Sequence, residues 1–315
     1  MHSTAADGPC SSSEYGPPNG SGTGAQAQAM TAPVHVIGAS GRSGLALVRS
    51  LLADRAVVVP VIRDPARWTM GGTEPPRVAD LTDHAGLQAA LSDAGTIVCC
   101  AHARHAAALC AAAPPDARLV LLGSTRKFTR WPDEHGRGVL AGEAAFLASG
   151  RSGVMLHPTM IYGATGENNV RRLAALLRHL PVLPLPDGGR ALVQPIHQDD
   201  VTRAIRAALD RAWQGPQTVV VAGRDALPYA AFIRAVAVAA GLRRPRVIGF
   251  PAAPLIAAAG LTRFLPGVPT IHPAEVRRLL EDKAFDIGPM RNLLGVTPMT
   301  LAEGLARTFG NPHKS

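Results

Sequence analysis

The segment 34–44 most constrains what this chain can fold into. A short β-branched pattern leads directly into glycines spaced G-x-x-G-x-x-G, and a helical pattern follows from residue 45. Glycines at this spacing allow a tight turn, close approach of a pyrophosphate to the backbone, and close packing of the helix on the strand. The helix N-terminus adds unpaired N–H groups and a positive dipole end. The segment therefore predicts a dinucleotide-binding turn, and a tight turn without a ligand is the alternative. The predicted contact residues are Gly38, Ser40, Gly41, Arg42, Ser43 and Gly44.

Strand-like and helix-like patterns alternate from residue 34 to 157. Such alternation predicts a parallel sheet covered by helices on both faces. We predict a doubly wound α/β Rossmann fold over 34–310. Residues 34–165 would mainly bind NAD(P), and 166–310 would mainly form a small α/β substrate lobe that returns a strand or two to the main sheet.

The two ends of the chain are predicted to be tails. Residues 1–33 are rich in Gly, Ser, Ala and Pro, a composition typical of disorder. Residues 311–315 form a second, short tail. Whether translation starts at Met1 or Met30 is left open by the sequence.

Local patterns predict four further elements. A polar loop is expected over 132–137, a helix over 138–149, a basic amphipathic helix over 169–180 and a loop over 181–189. Thr300 and Glu303 have the spacing of a capping box, which predicts a helix beginning near Thr300.

The charge balance favours anionic partners. The chain has 32 Lys plus Arg against 23 Asp plus Glu, a formal net charge of +9. No basic cluster is interleaved with aromatic residues, and no helix-turn-helix or zinc-finger spacing occurs, so nucleic-acid binding is not predicted. A small anionic substrate is expected instead.

The cysteines and the absence of targeting patterns predict a cytoplasmic protein. Cys10, Cys99, Cys100 and Cys110 form no C-x-x-C pair, so reduced thiols are expected and no metal site is predicted. There is no secretory signal pattern, and no apolar run reaches the roughly 18 residues of a spanning helix. The basic helix and the apolar, proline-broken segment 247–265 suggest contact with a membrane surface, and packing within the substrate lobe is the alternative.

Several local strings are similar to those of one enzyme family. Besides the glycine turn, they are Ala-Asp-Leu-Thr-Asp at 79–83, Leu-Gly-Ser-Thr at 122–125, His-Pro-Thr-Met-Ile-Tyr-Gly at 157–163 and Gln-Pro-Ile-His-Gln-Asp-Asp at 194–200. Together they resemble the extended and atypical short-chain dehydrogenase/reductases, often called the NAD-dependent epimerase/dehydratase family. The resemblance spans roughly 34–309.

The resemblance implies roles for the matching positions. Asp80 and Leu81 would lie at the adenine, and Ala101 and His102 would line the cofactor groove. Other matching positions would lie near the nicotinamide or the substrate. They are Ser124 or Thr125 at the substrate oxygen, Pro158 and Thr159 at the carboxamide, and Arg190 and Gln194 at substrate phosphates or sugar.

Residues at the end of the second predicted strand, 57–62, bear on the choice of cofactor. NAD specificity usually needs an acidic side chain there, whereas a nearby arginine accommodates the 2′-phosphate of NADP. Here Arg63 precedes Asp64, and Arg42 lies within the glycine turn. The two arginines favour NADP(H), Asp64 favours NAD(H), and a solvated turn is the third possibility.

One departure from the family concerns its chemistry. Relatives use Tyr-x-x-x-Lys, in which the lysine and the oxidised nicotinamide depress the tyrosine pKa. None of Tyr15, Tyr162 and Tyr229 is followed by lysine four residues on. Counting back from Ala-Gly-Glu at 141–143 puts His135 and Val139 at the tyrosine and lysine positions.

Three residues are candidates for the missing proton relay, beside Ser124 and Thr125. Lys127 lies three residues after Ser124, and the alternative is a surface lysine. His135 has a side chain suited to proton transfer near neutral pH, and the alternative is a solvated histidine. Tyr162 follows the sixth predicted strand, 154–156, and a packing role is the alternative to substrate contact.

The sequence therefore predicts an NADP(H)-linked oxidoreductase or isomerase with a non-standard proton relay. Its substrate would be nucleotide-sugar-like or another small carbonyl or alcohol. The alternative is a cofactor-binding regulator or accessory subunit without turnover, of the redox-sensing, complex I or quinone-biosynthesis type. The resemblance also implies a homodimer, although the sequence shows no evident interface helix.

Overall fold

A computed structural model of the chain describes residues 32–163, 169–261 and 273–310. The strands are β1 (Val34–Ile37), β2 (Val58–Ile62), β3 (Arg77–Val78), β4 (Thr96–Cys99), β5 (Arg118–Leu122), β6 (Gly153–Pro158), β7 (Ile161–Tyr162), β8 (Val182–Pro186), β9 (Leu192–Val193), β10 (Ile196–His197), β11 (Pro216–Val221), β12 (Leu227–Pro228) and β13 (Arg246–Phe250). The helices are α1 (Arg42–Ala53), α2 (His84–Ala90), α3 (Ala106–Ala112), α4 (Glu134–Ala148), α5 (Asn169–Leu177), α6 (Gln198–Leu209), α7 (Tyr229–Ala239), α8 (Ala252–Leu261), α9 (Pro273–Arg278), α10 (Gly288–Leu294) and α11 (Leu301–Phe309).

A seven-stranded sheet forms the centre of the fold, in the order β11-β6-β5-β4-β1-β2-β3. Every neighbouring pair is parallel. Strands β1, β4 and β6 are buried along their whole length, as expected of a parallel sheet covered on both faces. The predicted doubly wound Rossmann fold is confirmed. The strand order reverses between β1 and β4, where ligands bind in such sheets.

The C-terminal half returns one strand to this sheet and builds a smaller lobe. Strand β11 pairs with β6 at the edge of the main sheet. Three two-stranded sheets, β10-β7, β12-β9 and β13-β8, lie outside it. Helices α5, α7 and α11 pack together through Ala174, Phe232 and Leu305.

Three predicted boundaries differ in the structure. Helix α4 begins at Glu134 rather than 138, because the Asp133 carboxylate accepts a hydrogen bond from Gly136 N at 2.8 Å and caps the helix there. The loop predicted over 181–189 contains β8, whose Leu183 and Leu185 are buried. Helix α5 ends at Leu177 rather than residue 180.

The predicted capping box at the start of α11 is confirmed. Thr300 Oγ1 accepts from Glu303 N at 3.2 Å, and Glu303 Oε2 accepts from Thr300 N at 2.8 Å. Both bonds satisfy backbone donors that the helix cannot pair itself.

Several predictions concern residues at the ends of the chain. The tails predicted over 1–33 and 311–315 lie outside the described residues, apart from 32 and 33.

Cys99, Cys100 and Cys110 are free thiols, and Cys10 lies outside the described residues. Within the described ranges, no helix combines the length and the apolarity needed to span a bilayer.

Candidate functional site

The glycine turn joins β1 to α1 at the point where the strand order reverses. Gly38 has φ +73°, a conformation that favours glycine. A Cβ at position 44 would overlap the carbonyl oxygen of Gly38 and lie 2.9 Å from Ala39 Cα. The helix therefore packs on the turn only because Gly44 has no side chain. Gly41 is the N-cap residue and makes no side-chain capping bond, so the N-terminus of α1 presents backbone N–H groups.

Three polar residues predicted to bind the cofactor flank these glycines. Ser43 Oγ donates a hydrogen bond to Gln198 Oε1 at 3.0 Å, which ties the turn to α6. Ser40 is half-buried, and Arg42 is exposed at the first residue of α1. Arg42 is therefore placed where an anion at the helix N-terminus would lie.

The predicted ribose end of the groove follows β2 and β3. The Asp64 carboxylate accepts from Ala66 N at 3.1 Å and caps a short 3-10 turn. Asp80 accepts from Thr82 Oγ1 and Thr82 N, and these bonds, with a smaller contribution from Arg63, lower the pKa of the Asp80 carboxyl. Arg63 thus lies close enough to influence an acid at the end of β3.

Residues near the predicted adenine and nicotinamide positions supply apolar contact and one unsatisfied hydroxyl. Leu81 and Ala101 are half-buried and pack on the core beside β4. Pro158 O accepts from Thr125 Oγ1 at 3.2 Å. Thr159 Oγ1 is buried and has no hydrogen-bond partner in the described part of the chain. Together with the glycine turn, this hydroxyl fits a dinucleotide lying across the carboxyl ends of β1, β4 and β6.

His102 and His135 form a hydrogen-bonded pair beside this groove. His102 Nε2 lies 3.0 Å from His135 Nδ1, and the rings meet edge to face with centroids 4.3 Å apart. His135 lies in the first turn of α4 rather than in the predicted loop. A Cβ at Gly138 would lie 3.0 Å from His102 Cε1, and one at Gly142 would overlap the carbonyl oxygen of Ala103. These two glycines let α4 approach closely enough for the histidines to meet.

The backbone fixes the tautomer of both histidines. His102 Nδ1 accepts from Arg104 N at 3.0 Å, so neutral His102 carries its proton on Nε2 and donates it to His135 Nδ1. Neutral His135 then carries its own proton on Nε2. Burial, and next the neighbouring His135, lowers the pKa of His102 to about 4. Burial and then Arg126 lower the pKa of His135. Both rings are therefore neutral near pH 7.

Lys127, another candidate for the relay, is held in a buried cluster. Its Nζ donates to Glu143 Oε1 at 2.5 Å and lies 3.4 Å from His157 Nε2. His157 Nδ1 accepts from Ser124 N at 3.2 Å. Burial and the Lys127 charge lower the pKa of His157 to about 4. The cluster thus lies behind Ser124, and Lys127 is not among the residues that line the cleft.

A cleft of about 970 Å³ opens in front of Ser124, Thr125, His135 and Thr159. Four cationic side chains line it, with two acidic ones. They are Arg126, Arg130, Arg278 and Lys283, with Glu281 and Asp282.

Hydrogen bonds connect the two sides of the cleft. Glu281 is buried and accepts from Thr129 Oγ1 at 2.7 Å and from Arg130 N at 2.7 Å. Asp133 forms ion pairs with Arg126 and Arg278. Burial lowers the pKa of Lys283, whose Nζ donates to Arg278 O. The excess of positive charge suits an anionic ligand.

The three residues predicted to contact substrate lie elsewhere. Tyr162 is 1% exposed, packs on His197 with ring centroids 5.3 Å apart, and has its pKa raised by burial. Gln194 Nε2 donates to Gly223 O at 2.8 Å and its Oε1 accepts from Phe285 N at 2.7 Å, so the amide supports the cleft wall. Arg190 lines a separate cavity beside Phe250.

Residues of the cleft that the sequence analysis missed come from distant segments. Arg126 follows β5, whereas Arg278, Glu281 and Lys283 follow or end α9. No local spacing relates these segments. The contact between α4 and His102 did have a sequence signal. Gly138 and Gly142 lie one helical turn apart, and such a pair indicates that another segment packs closely against the helix.

Comparison with known proteins supports the binding of a nicotinamide dinucleotide by the N-terminal half of the chain. Residues 38–136 match the model of an NAD(P)H-binding family. The chain carries an NAD(P)H-binding domain. A comparison with curated proteins found no match.

Several solved structures are similar to the chain. The crystal structure of gox2253 has a TM-score of 0.69 at 16% identity, covering 87% of this chain and 96% of that one. The NADPH-dependent quinone oxidoreductase QOR2 from Escherichia coli, complexed with NADPH, has a TM-score of 0.66 at 20% identity, covering 88% and 100%. UDP-glucuronic acid 4-epimerase from Bacillus cereus, in complex with UDP-glucuronic acid and NAD, has a TM-score of 0.66 at 16% identity, covering 88% and 98%. The shared fold agrees with the resemblance to the epimerase/dehydratase type.

Proposed function

We propose that this protein is an NADP(H)-linked oxidoreductase acting on a small anionic carbonyl or alcohol, nucleotide sugars included. The observation that carries the proposal is the place of His135. It lies in the first turn of α4, at the position that the resemblance matches to the family's tyrosine, and it lines the cleft with Ser124. The cations of the cleft support an anionic substrate.

Proton transfer in this proposal runs through the two histidines. A bound nicotinamide cofactor would supply the hydride for the carbonyl carbon. Neutral His135 donates its Nε2–H to the carbonyl oxygen, as neutral imidazoles do in other enzymes, and the Ser124 hydroxyl donates beside it. The proton on His135 Nε2 passes to the carbonyl oxygen. His135 Nδ1 then takes the proton from His102 Nε2, and His102 regains a proton from solvent. One hydride and one proton give the alcohol.

The preference for NADP(H) is part of the proposal. Arg42 at the start of α1 and Arg63 after β2 flank the position of a ribose 2′-phosphate in this fold. Asp64 already accepts a backbone N–H from Ala66, which supports a turn-forming role for its carboxylate.

The test is turnover by the purified protein and by His135→Gln. We expect NADPH to bind more tightly than NADH. We also expect the protein to oxidise NADPH in the presence of a substrate from a panel of 2-oxo acids, quinones and nucleotide sugars. His135→Gln should lower kcat about 100-fold or more with the Kd for NADPH unchanged. His84→Gln, at an exposed helix position, is the matched control. Equal turnover by His135→Gln would overturn the role of His135.

A binding protein without turnover is the second candidate. Two observations favour it. The position that matches the family's lysine holds the buried Val139, and Lys127 forms an ion pair with Glu143. In that case NADPH would raise the Tm by mass action, while no substrate of the panel would be reduced by the wild type.

A further inference from the structure

One end of the substrate lobe exposes apolar side chains that the proposed reaction does not use. Strands β8 and β13 pair in parallel, with Val182 opposite Arg246 and Pro184 opposite Ile248. Because alternate residues share a face, Val182, Ile248 and Phe250 lie on the outward side of this ribbon. They are 39%, 51% and 42% exposed.

The following helix continues this surface. α8 contains no charged residue between Ala252 and Leu261. Ala253 and Pro254 in its first turn are exposed, and Leu255 and Ile256 are half-buried. We call the outward side of β8 and β13, together with the first turns of α8, the docking face.

Arginines outnumber acidic residues in the segments that build this end of the lobe. Residues 226–261 contain four arginines and no aspartate or glutamate, and residues 169–186 contain three arginines and no acid. Arg243, Arg244 and Arg246 are exposed immediately before the apolar run. Asp187, which follows β8, lies 3.7 Å from Arg190.

An apolar face with a cationic rim discriminates between partners. A second copy of the chain would cover the apolar side chains but would bring arginines against arginines. Nucleic acid would neutralise the arginines but would leave Ile248 and Phe250 without an apolar partner. A bilayer with anionic lipids offers phosphates and hydrocarbon at the same boundary.

We propose that the docking face binds the surface of an anionic lipid bilayer. Ile248 and Phe250 enter the interface, and Arg243, Arg244 and Arg246 contact headgroup phosphates. Helix α5, the basic helix of the sequence analysis, supports the lobe instead, because its Val170, Ala174 and Leu177 are buried.

Vesicle flotation tests this proposal. We expect the full chain to float with phosphatidylcholine vesicles that contain phosphatidylglycerol, weakly with phosphatidylcholine alone, and less at high salt. The double variant I248E/F250E and the triple variant R243Q/R244Q/R246Q should each reduce flotation roughly tenfold or more. The control V57E/V78E changes two exposed valines elsewhere and should float like the wild type.

Other outcomes would overturn the docking face. The first is that the wild type does not float with anionic vesicles, and the second is that I248E/F250E floats as well as the wild type. The third is that the wild type does not bind vesicles but sediments as a dimer, which I248E/F250E converts to a monomer. DNA binding that needs the arginines but not Ile248 and Phe250 would also overturn it. NADPH titration of each variant keeps this test separate from the proposed reaction, because the altered residues lie outside the cofactor groove.

Discussion

Lys127 Nζ lies 2.5 Å from Glu143 Oε1, and both side chains are largely buried behind the cleft. Removing one partner leaves a buried charge without compensation, which typically costs about 3–5 kcal/mol. Lys127→Met should therefore lower the free energy of unfolding by about 3 kcal/mol, measured by urea denaturation. The double variant K127M/E143L should recover much of that loss, since neither charge remains. A single variant as stable as the wild type would contradict the importance of the pair.

The sequence predicts the local elements of this fold but not the Lys127–Glu143 ion pair. The presence of β1 and α1 around the glycine turn was predicted, because a β-branched run, three glycines and a helical pattern are local features of the sequence. The partner of Lys127 was not predicted, because Glu143 lies 16 residues away and meets it only when α4 packs beside the β5 loop.

The histidine pair depended on the same packing. The prediction that His135 lies in a loop was wrong, because Asp133 caps α4 and the helix begins at Glu134 instead of residue 138. Its partner His102 was assigned to the cofactor groove by resemblance alone. Two single histidines 33 residues apart carry no sequence pattern, and their contact follows from the absence of side chains at Gly138 and Gly142.

Gly44→Ala tests the glycine turn. A Cβ there would overlap Gly38 O and crowd Ala39 Cα at 2.9 Å, so the helix must move from the turn. We expect NADPH affinity to fall at least tenfold, measured by fluorescence titration, with a lower Tm. Gly95→Ala is the control, because its Cβ would meet nothing within 4 Å. Unchanged NADPH affinity in Gly44→Ala would show that the cofactor does not approach this turn.

Changes at His102 test whether it positions His135. His102→Gln retains an amide N–H that can donate to His135 Nδ1, whereas His102→Ala does not. We expect His102→Ala to lower kcat with little change in KM, and His102→Gln to restore part of that loss. Since burial lowers the pKa values of both histidines below 6.5, both rings stay neutral above that pH, and wild-type kcat for carbonyl reduction should be constant there. Equal kcat for all three proteins would contradict the positioning role.

Arg63→Glu tests the preference for NADP(H). A glutamate would repel the 2′-phosphate of NADPH and could accept from the ribose hydroxyl of NADH. We expect the Kd for NADPH to rise and that for NADH to fall or stay constant, so that the preference reverses. Arg67→Glu, in the 3-10 turn that follows Arg63, is the control for the change of net charge. A variant that still prefers NADPH would move the specificity to Arg42 or elsewhere.

The stability of the fold should depend on pH through His157. Its pKa is about 4 in the folded chain and 6.5 for an ordinary histidine. Between these values the unfolded chain binds a proton that the folded chain does not, so stability declines as the pH falls from 6.5 towards 4. His157→Asn keeps an oxygen that can accept from Ser124 N and removes the titrating ring. The Tm of this variant should therefore fall less steeply over that interval than the Tm of the wild type or of His84→Asn. Parallel Tm profiles would show that His157 does not titrate on unfolding.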